Sequence, residues 1–459
     1  MESPRSSRSR RVPFESLTAA MALAVATVVQ PAPAAAHPHL ALGLQRFAAP
    51  NLQLAACSAA RQYRPLWVRG KALGREAEFL LNLLQTAEAD GRDPNRFLRL
   101  GVHEAVNAAR SGSPEDLALA EVVLSTAFAA YVRDLRRPAD VGVIYGEPAL
   151  KTRIPGTLTV LQRAATAPSL ENYLTTMGWM HPIYAQLRQA LASAPWNGGM
   201  MFGEEERLVR LNLERARILP AHKDRYILVD AAAARLFYYE GGKVRDSMRV
   251  VVGTPDQPTP MMVGMIRYAT LNPYWHVPPD LARARIAPRV LAEGLSYFNN
   301  RGYEVVSEWS RNARVIDPST VDWKAVADGK KQVLVRQRPG PSNGMGKVKF
   351  QFPNELGIYL HDTPAKQLFN EDQRGFSAGC VRLEDADGLG RLMFGRFPQA
   401  ESDQPEQTVS LPGPIPLYIT YLTMVAEKGR IVERRDIYGR DQFQSASLSS
   451  PSESASLSR

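Results

Sequence analysis

The chain has 459 residues, enough for two or three domains, and its 45% hydrophobic and 8% aromatic content excludes wholesale disorder. Its formal charge of +10 falls to +8 once residues 1–36, which carry four Arg and two Glu, are set aside. A basic surface of that kind attracts polyanions without specifying which.

The N-terminus carries Arg5, Arg8, Arg10 and Arg11, then an apolar run of thirteen residues from Leu17 to Val29, then Ala34-Ala35-Ala36. This pattern predicts a secretory signal peptide, with the mature protein starting at His37. No later run approaches the roughly 18 apolar residues that a membrane-spanning helix requires, so no span is expected in the mature chain. Export argues against a nucleic-acid partner. It also places the two cysteines, Cys57 and Cys380, where a disulfide is normally expected. A bridged Cys380 could not act as a nucleophile, so both are expected to be reduced, with Cys57 a packing residue in the first helix.

Residues 51–194 read as helical, with apolar residues at spacings of three and four in 76–86 and 117–135. Ser113-Pro114-Glu115-Asp116 supplies an N-cap, a first-turn proline and acids at the positive end of the helix dipole. A further amphipathic helix is expected over 182–191, and His103 and His181 are read as structural or surface histidines. Residues 207–218 read as a basic amphipathic helix. After Pro220 the period becomes that of strands: 226–230, then 235–240, a Gly241-Gly242 turn, and 247–253.

A loop follows at 254–259, then the aromatic stretch Asn272-Pro273-Tyr274-Trp275-His276-Val277-Pro278, and a helix is expected over 280–293. Residues 302–335 are mixed and polar, and 336–346 are rich in Pro and Gly. Residues 347–352 alternate as a half-buried strand should, 386–394 look helical, and 416–426 read as a buried closing strand. Residues 441–459 are expected to be a disordered tail, of which 445–459 are rich in serine and without an aromatic. The fold class is therefore α+β: a mostly helical first part, 37–220, followed by a strand-rich part, 221–440.

Chemistry concentrates between Ile358 and Glu384, which hold His361 and Cys380. A thiol needs a nearby base to become a thiolate at neutral pH, and imidazole suits that task. Gly379 allows close backbone approach just before the thiol, and Arg382 two residues beyond it favours thiolate. Spacing alone does not pair them, and His276 is a rival base.

His361-Asp362-Thr363-Pro364, a spacer and Ser377-Ala378-Gly379-Cys380-Val381-Arg382 resemble the signature of the YkuD-type L,D-transpeptidases, cysteine enzymes that cross-link bacterial peptidoglycan. The 272–278 segment is similar to one in the larger, periplasmic members. Many members have His where this chain has Ala378. The resemblance implies a helical scaffold domain, a β-sandwich catalytic domain, and a lid or capping insertion at 301–346. It implies Cys380 as nucleophile, His361 as base, oxyanion or orienting roles for Gly379, Tyr359 and Asp362, and substrate contacts from Tyr274, Trp275, Ser377 and Arg382. A backbone carbonyl near Asp362 would orient the imidazole.

On that reading the partners are donor and acceptor peptidoglycan stems in the periplasm, carbapenems acylate the thiol, and neither cofactor nor metal is needed. Links between two third-position diamino acids (3-3) are the expected product. Links from L-alanine to a diamino acid (1-3), D-amino acid exchange, hydrolysis by a carboxypeptidase or amidase, and an inactive wall-binding scaffold are the alternatives.

Overall fold

The computed structural model describes residues 38–137, 140–193, 203–221, 223–310, 312–442 and 444. The expected signal peptide and the serine-rich part of the tail lie outside them, but the expected tail starts too early: Asp441 is buried, held by an ion pair with Arg215.

The helical half is built around α1 (Pro114–Leu135), which is buried on several faces. Its start is capped by Ser113 Oγ, which accepts the Asp116 N–H at 3.1 Å, and Pro114 takes the first turn, where no donor is needed. Trp67 and Trp179 pack edge-on against Phe128 at 5.6 and 5.3 Å. Asp90 is buried yet fully partnered: the hydroxyls of Tyr131 and Tyr184 each donate to it at 2.7 Å, and Arg188 Nε donates at 3.1 Å. A buried carboxylate requires such partners, and these tie α1 to α2 (Pro182–Ser193).

The basic helix expected at 207–218 exists as part of α3 (Gly203–Ala216), but it is not a solvated face. Arg215 and Arg217 are 0% and 1% exposed. Arg215 Nη1 donates to Asp441 at 2.7 Å and Asn212 Nδ2 to Thr423 at 3.0 Å, so the helix is wedged against the C-terminal segment of the second half. His181 has a similar role: its Nε2 lies 2.7 Å from the Tyr226 hydroxyl, and burial lowers its pKa to about 3, keeping the ring neutral.

From Arg225 the chain forms β1 (Arg225–Asp230), β2 (Arg235–Glu240), β3 (Lys243–Gly253) and β4 (Met262–Leu271). Gly241 and Gly242, at φ 57° and 75°, make the tight turn between β2 and β3. The chain then leaves this sheet for a smaller one made of β5 (Trp275–Val277), β6 (Tyr303–Val306) and β7 (Leu334–Gln337), with the short strand Val315–Ile316 at its edge. This sheet has its own core, in which Val277, Phe298, Val305, Trp323 and Val335 are buried together. The structured unit that contains residues 301–346 therefore also takes in 275–300, because β5 pairs with β7 across about sixty residues of chain.

The chain returns as β8 (Val348–Gln351), β9 (Leu360–His361), β10 (Gly375–Ser377), β11 (Val381–Leu383), α4 (Ala386–Phe394) and β12 (Gln407–Thr420). The main sheet runs β8-β9-β11-β3-β2-β1-β12-β4, and β8 pairs β4 as well, so the strands close into a ring around a continuous apolar interior. Two strands differ from their sequence reading. β8 is buried on both faces, because Lys349 is covered and ion-paired with Glu406 at 3.3 Å. β12 begins well before residue 416; its first half is masked in the sequence by Pro412-Gly413-Pro414, which occupy a register shift between Ser410 and Ile415 where ladder donors are not needed.

Candidate active site

β9 and β11 run parallel, with Leu360 opposite Val381 and His361 opposite Arg382. Alternation sends Leu360 and Val381 into the core, so Tyr359, His361, Cys380 and Arg382 share the other face. The neighbouring antiparallel strand β8 puts Lys349 opposite His361. Lys349, His361 and Arg382 thus form a row across three strands, with Tyr359 and Cys380 one step along it.

The loop before the thiol is held from three sides. Ser377 Oγ donates to the Cys380 carbonyl at 2.5 Å, Thr259 Oγ1 donates to the Gly379 carbonyl at 2.8 Å, and the Val381 N–H donates to the Tyr359 carbonyl at 3.0 Å. Gly379 adopts φ 97°, and a Cβ there would come 3.1 Å from Ile358 Cδ1, so this position favours glycine on both counts. Among the described residues, no backbone carbonyl accepts from the N–H of Gly379 or Cys380. Those donors are free for a developing oxyanion.

Cys380 is half-buried and unbridged, and its thiol donates to the Gly357 carbonyl at 3.5 Å. Burial raises its pKa, while the Tyr359 backbone N–H and the Arg382 charge oppose that rise. His361 is buried, and its pKa is lowered to about 4, by burial first and then by Arg382. The imidazole is therefore neutral at pH 7. Its Nδ1 lies 2.6 Å from the Asp362 carbonyl oxygen, which can only accept, so Nδ1 carries the proton and Nε2 keeps the lone pair. That is the tautomer a general base needs. Sγ and His361 form no hydrogen bond, so the two share a face without touching through a proton.

The Asp362 carboxylate does not face the imidazole. It accepts from the Lys347 N–H at 3.0 Å and from Lys366 Nζ at 2.8 Å, capping the turn. Its contribution to orientation is the backbone carbonyl. For Arg382, both acidic neighbours have other partners: Glu384 accepts from Arg249 Nε at 2.8 Å, and Asp385 caps α4 through the Gly388 N–H at 2.7 Å. Arg382 has no ion pair among the described residues, and its buried Nε has no partner. Burial lowers its pKa, and Arg285 on the small-sheet unit adds to that fall.

Tyr274 is half-buried beneath Arg336, whose guanidinium is 4.2 Å from the ring centre. Trp275 packs against the core of the small unit and against Gly344. His276 is exposed on β5, with its ring 4.9 Å from Trp309, and no hydrogen bond orients it or joins it to Cys380. Sequence reasoning missed Thr259, Lys349 and Glu406. Thr259 lay in a segment read only as a loop, and the Lys349–Glu406 pair joins residues 57 apart with no local signal.

Residues 224–390 match the L,D-transpeptidase catalytic domain family, and residues 53–191 match the scaffold domain family. The chain carries a YkuD-type L,D-transpeptidase catalytic domain. A Haemophilus influenzae protein with a provisional L,D-transpeptidase name is 28% identical over 405 residues, covering 85% of this chain and 78% of its own. The Enterococcus faecium L,D-transpeptidase, solved as a cysteine-to-serine variant, is 13% identical with a TM-score of 0.21, covering 44% of this chain and 51% of its own. The L,D-transpeptidase from Mycobacterium smegmatis is 15% identical with a TM-score of 0.21, covering 43% and 58%. This chain thus spans between half and three-fifths of the length of those two solved chains. As an L,D-transpeptidase, the protein is an acyltransferase, and both halves of its chain have counterparts in the family.

Proposed function

We propose that this L,D-transpeptidase works in the periplasm, with Cys380 as nucleophile and His361 as base, and joins two third-position diamino acids of neighbouring peptidoglycan stems. The observation that carries the reading is the His361 Nδ1 contact with the Asp362 carbonyl, which leaves a neutral imidazole with a basic Nε2 on the face it shares with the thiol.

The steps follow from that tautomer. His361 Nε2 takes the Cys380 proton as the thiolate attacks the donor-stem carbonyl, and the N–H groups of Gly379 and Cys380 receive the oxyanion. The carbon–nitrogen bond to the terminal residue breaks, His361 returns its proton to the departing amine, and the stem remains as a thioester. An acceptor-stem amine then attacks this thioester and loses its proton to His361. Sulfur departs as thiolate and is reprotonated. Arg382 and Arg285, close enough to interact and without carboxylate partners among the described residues, suit the carboxylates that such stems carry. Carbapenems, which present a strained carbonyl to the same thiol, are expected to acylate Cys380.

Incubation with defined tetrapeptide stems followed by muropeptide mass spectrometry tests the reading. The expected product is a 3-3 dimer that disappears in Cys380→Ala. A 1-3 dimer, exchange of the terminal residue, or simple hydrolysis would replace this reading with the corresponding reaction.

A further inference from the structure

An open cavity of about 330 Å³ lies between the helical half and the closed sheet, and its lining includes no residue of β9, β11 or the Cys380 loop. Five cations line it: Arg136, Lys151, Arg153, Arg163 and Lys223. Among the described residues, no Asp or Glu joins them and none of the five has an ion-pair partner. Elsewhere covered arginines are matched: Arg188 with Asp90 and Arg217 with Glu214 within the helical half, and Arg215 with Asp441 across to the second half. Like charges gathered without counter-charge repel one another, so this cluster costs stability unless something anionic occupies it.

Two further features point to a ligand. Trp179 lines the cavity, is 3% exposed, and its buried Nε1–H has no hydrogen-bond partner, a costly state for an indole donor. Tyr173 and Tyr418 also line the cavity and offer ring surface beside the charges. Among the described residues, half-buried Arg136 donates only to the Arg217 carbonyl, at 3.5 Å, and its pKa is lowered by burial first and then by Arg217 and Arg163. Lys151, Arg153, Arg163 and Lys223 are exposed around it.

We propose that this cavity is an anion-binding exosite that holds the carboxylates of a second peptidoglycan segment, with the rings of Tyr173 and Tyr418 against its sugar or peptide body. The assignment rests on the transpeptidase reading for the identity of the ligand. Cations beside aromatic rings and an unpaired N–H donor fit a carboxylated sugar–peptide better than a bare inorganic anion, which has no apolar surface to place there. Such a site would keep an acceptor strand on the enzyme while Cys380 carries the thioester.

The test uses the full chain with Cys380→Ala, which cannot turn over, and a disaccharide–tetrapeptide muropeptide as probe in isothermal titration calorimetry. The double variant Lys151→Glu with Arg163→Glu alters two exposed positions, and its fold is checked by circular dichroism melting. The expected result is salt-sensitive binding, weakened at least tenfold both by the double variant and by amidation of the muropeptide carboxylates. Binding that ignores the charge reversals, an equally good amidated probe, equal competition by inorganic phosphate, or no binding at all would overturn the exosite. Carbapenem acylation of the unaltered chain reads Cys380 separately. If acylation fails while binding still responds to the reversals, the transpeptidase reading falls and the anion site stands. Acylation without that response removes the exosite alone.

Discussion

Burial acts on His361 and Cys380 in opposite electrostatic senses and favours the uncharged form of each, lowering the imidazole pKa to about 4 and raising that of the thiol. The resting pair is therefore neutral, and proton transfer waits for substrate. If His361 is the base, acylation by a carbapenem should persist below pH 6 and lose rate with an acid limb near the lowered value, not near 6.5, the ordinary imidazole value. A limb at 6.5 would assign the base to an ordinary histidine. Stability follows the same shift. The folded pKa lies below the unfolded one, so the unfolded state takes up the proton first as pH falls. The stabilisation from the neutral buried ring is present above about 6.5 and drains away towards about 4, an amount of about 3 kcal/mol at roughly 1.4 kcal/mol per pKa unit. His181, lowered to about 3, adds loss of the same sign. Urea unfolding at pH 7 and pH 4.5 measures the combined fall. At the loop, Ser377→Ala removes the bond to the Cys380 carbonyl, costing about 1 kcal/mol and slowing acylation while leaving the thiol present.

Among the elements, the small-sheet unit is the one whose behaviour departs from the rest. Its core is separate from that of the closed sheet, yet Ala378, in the catalytic loop, packs against it. Ala378 is thus a methyl contact to this unit. Trp323→Ala empties part of that core at a local cost of about 3–5 kcal/mol. The variant should raise KM for peptide stems far more than it slows acylation by a small carbapenem, and hydrogen exchange should quicken over 303–306 and 334–337 without change in β1. Equal effects on both substrates would mean that the unit shapes the thiol loop itself. This unit also marks where local sequence stops informing. The Ser113 cap, the Gly241-Gly242 turn and helix 386–394 declare themselves within a few residues. The pairing of 275–277 with 334–337 does not, because strand partnership across sixty residues leaves no local period. The Lys349–Glu406 pair and the five-cation cavity were hidden for the same reason: each is assembled from distant segments.

Across the whole molecule the two halves are joined by buried polar contacts: Arg215 with Asp441, Asn212 with Thr423, and His181 with Tyr226. Removing one partner of a buried ion pair leaves the other charge stranded, so Asp441→Ala should cost about 3–5 kcal/mol and lower the melting temperature of both halves together. Two separated transitions would show the halves to be independent. The central claim, that Cys380 is the nucleophile and His361 its base, is tested most directly by intact-mass spectrometry of the chain after a timed carbapenem exposure. The account predicts one covalent adduct on the unaltered chain, none on folded Cys380→Ala, and acylation slowed by about 10²–10⁴ in His361→Ala. An adduct on Cys380→Ala, or His361→Ala reacting at the unaltered rate, would contradict it.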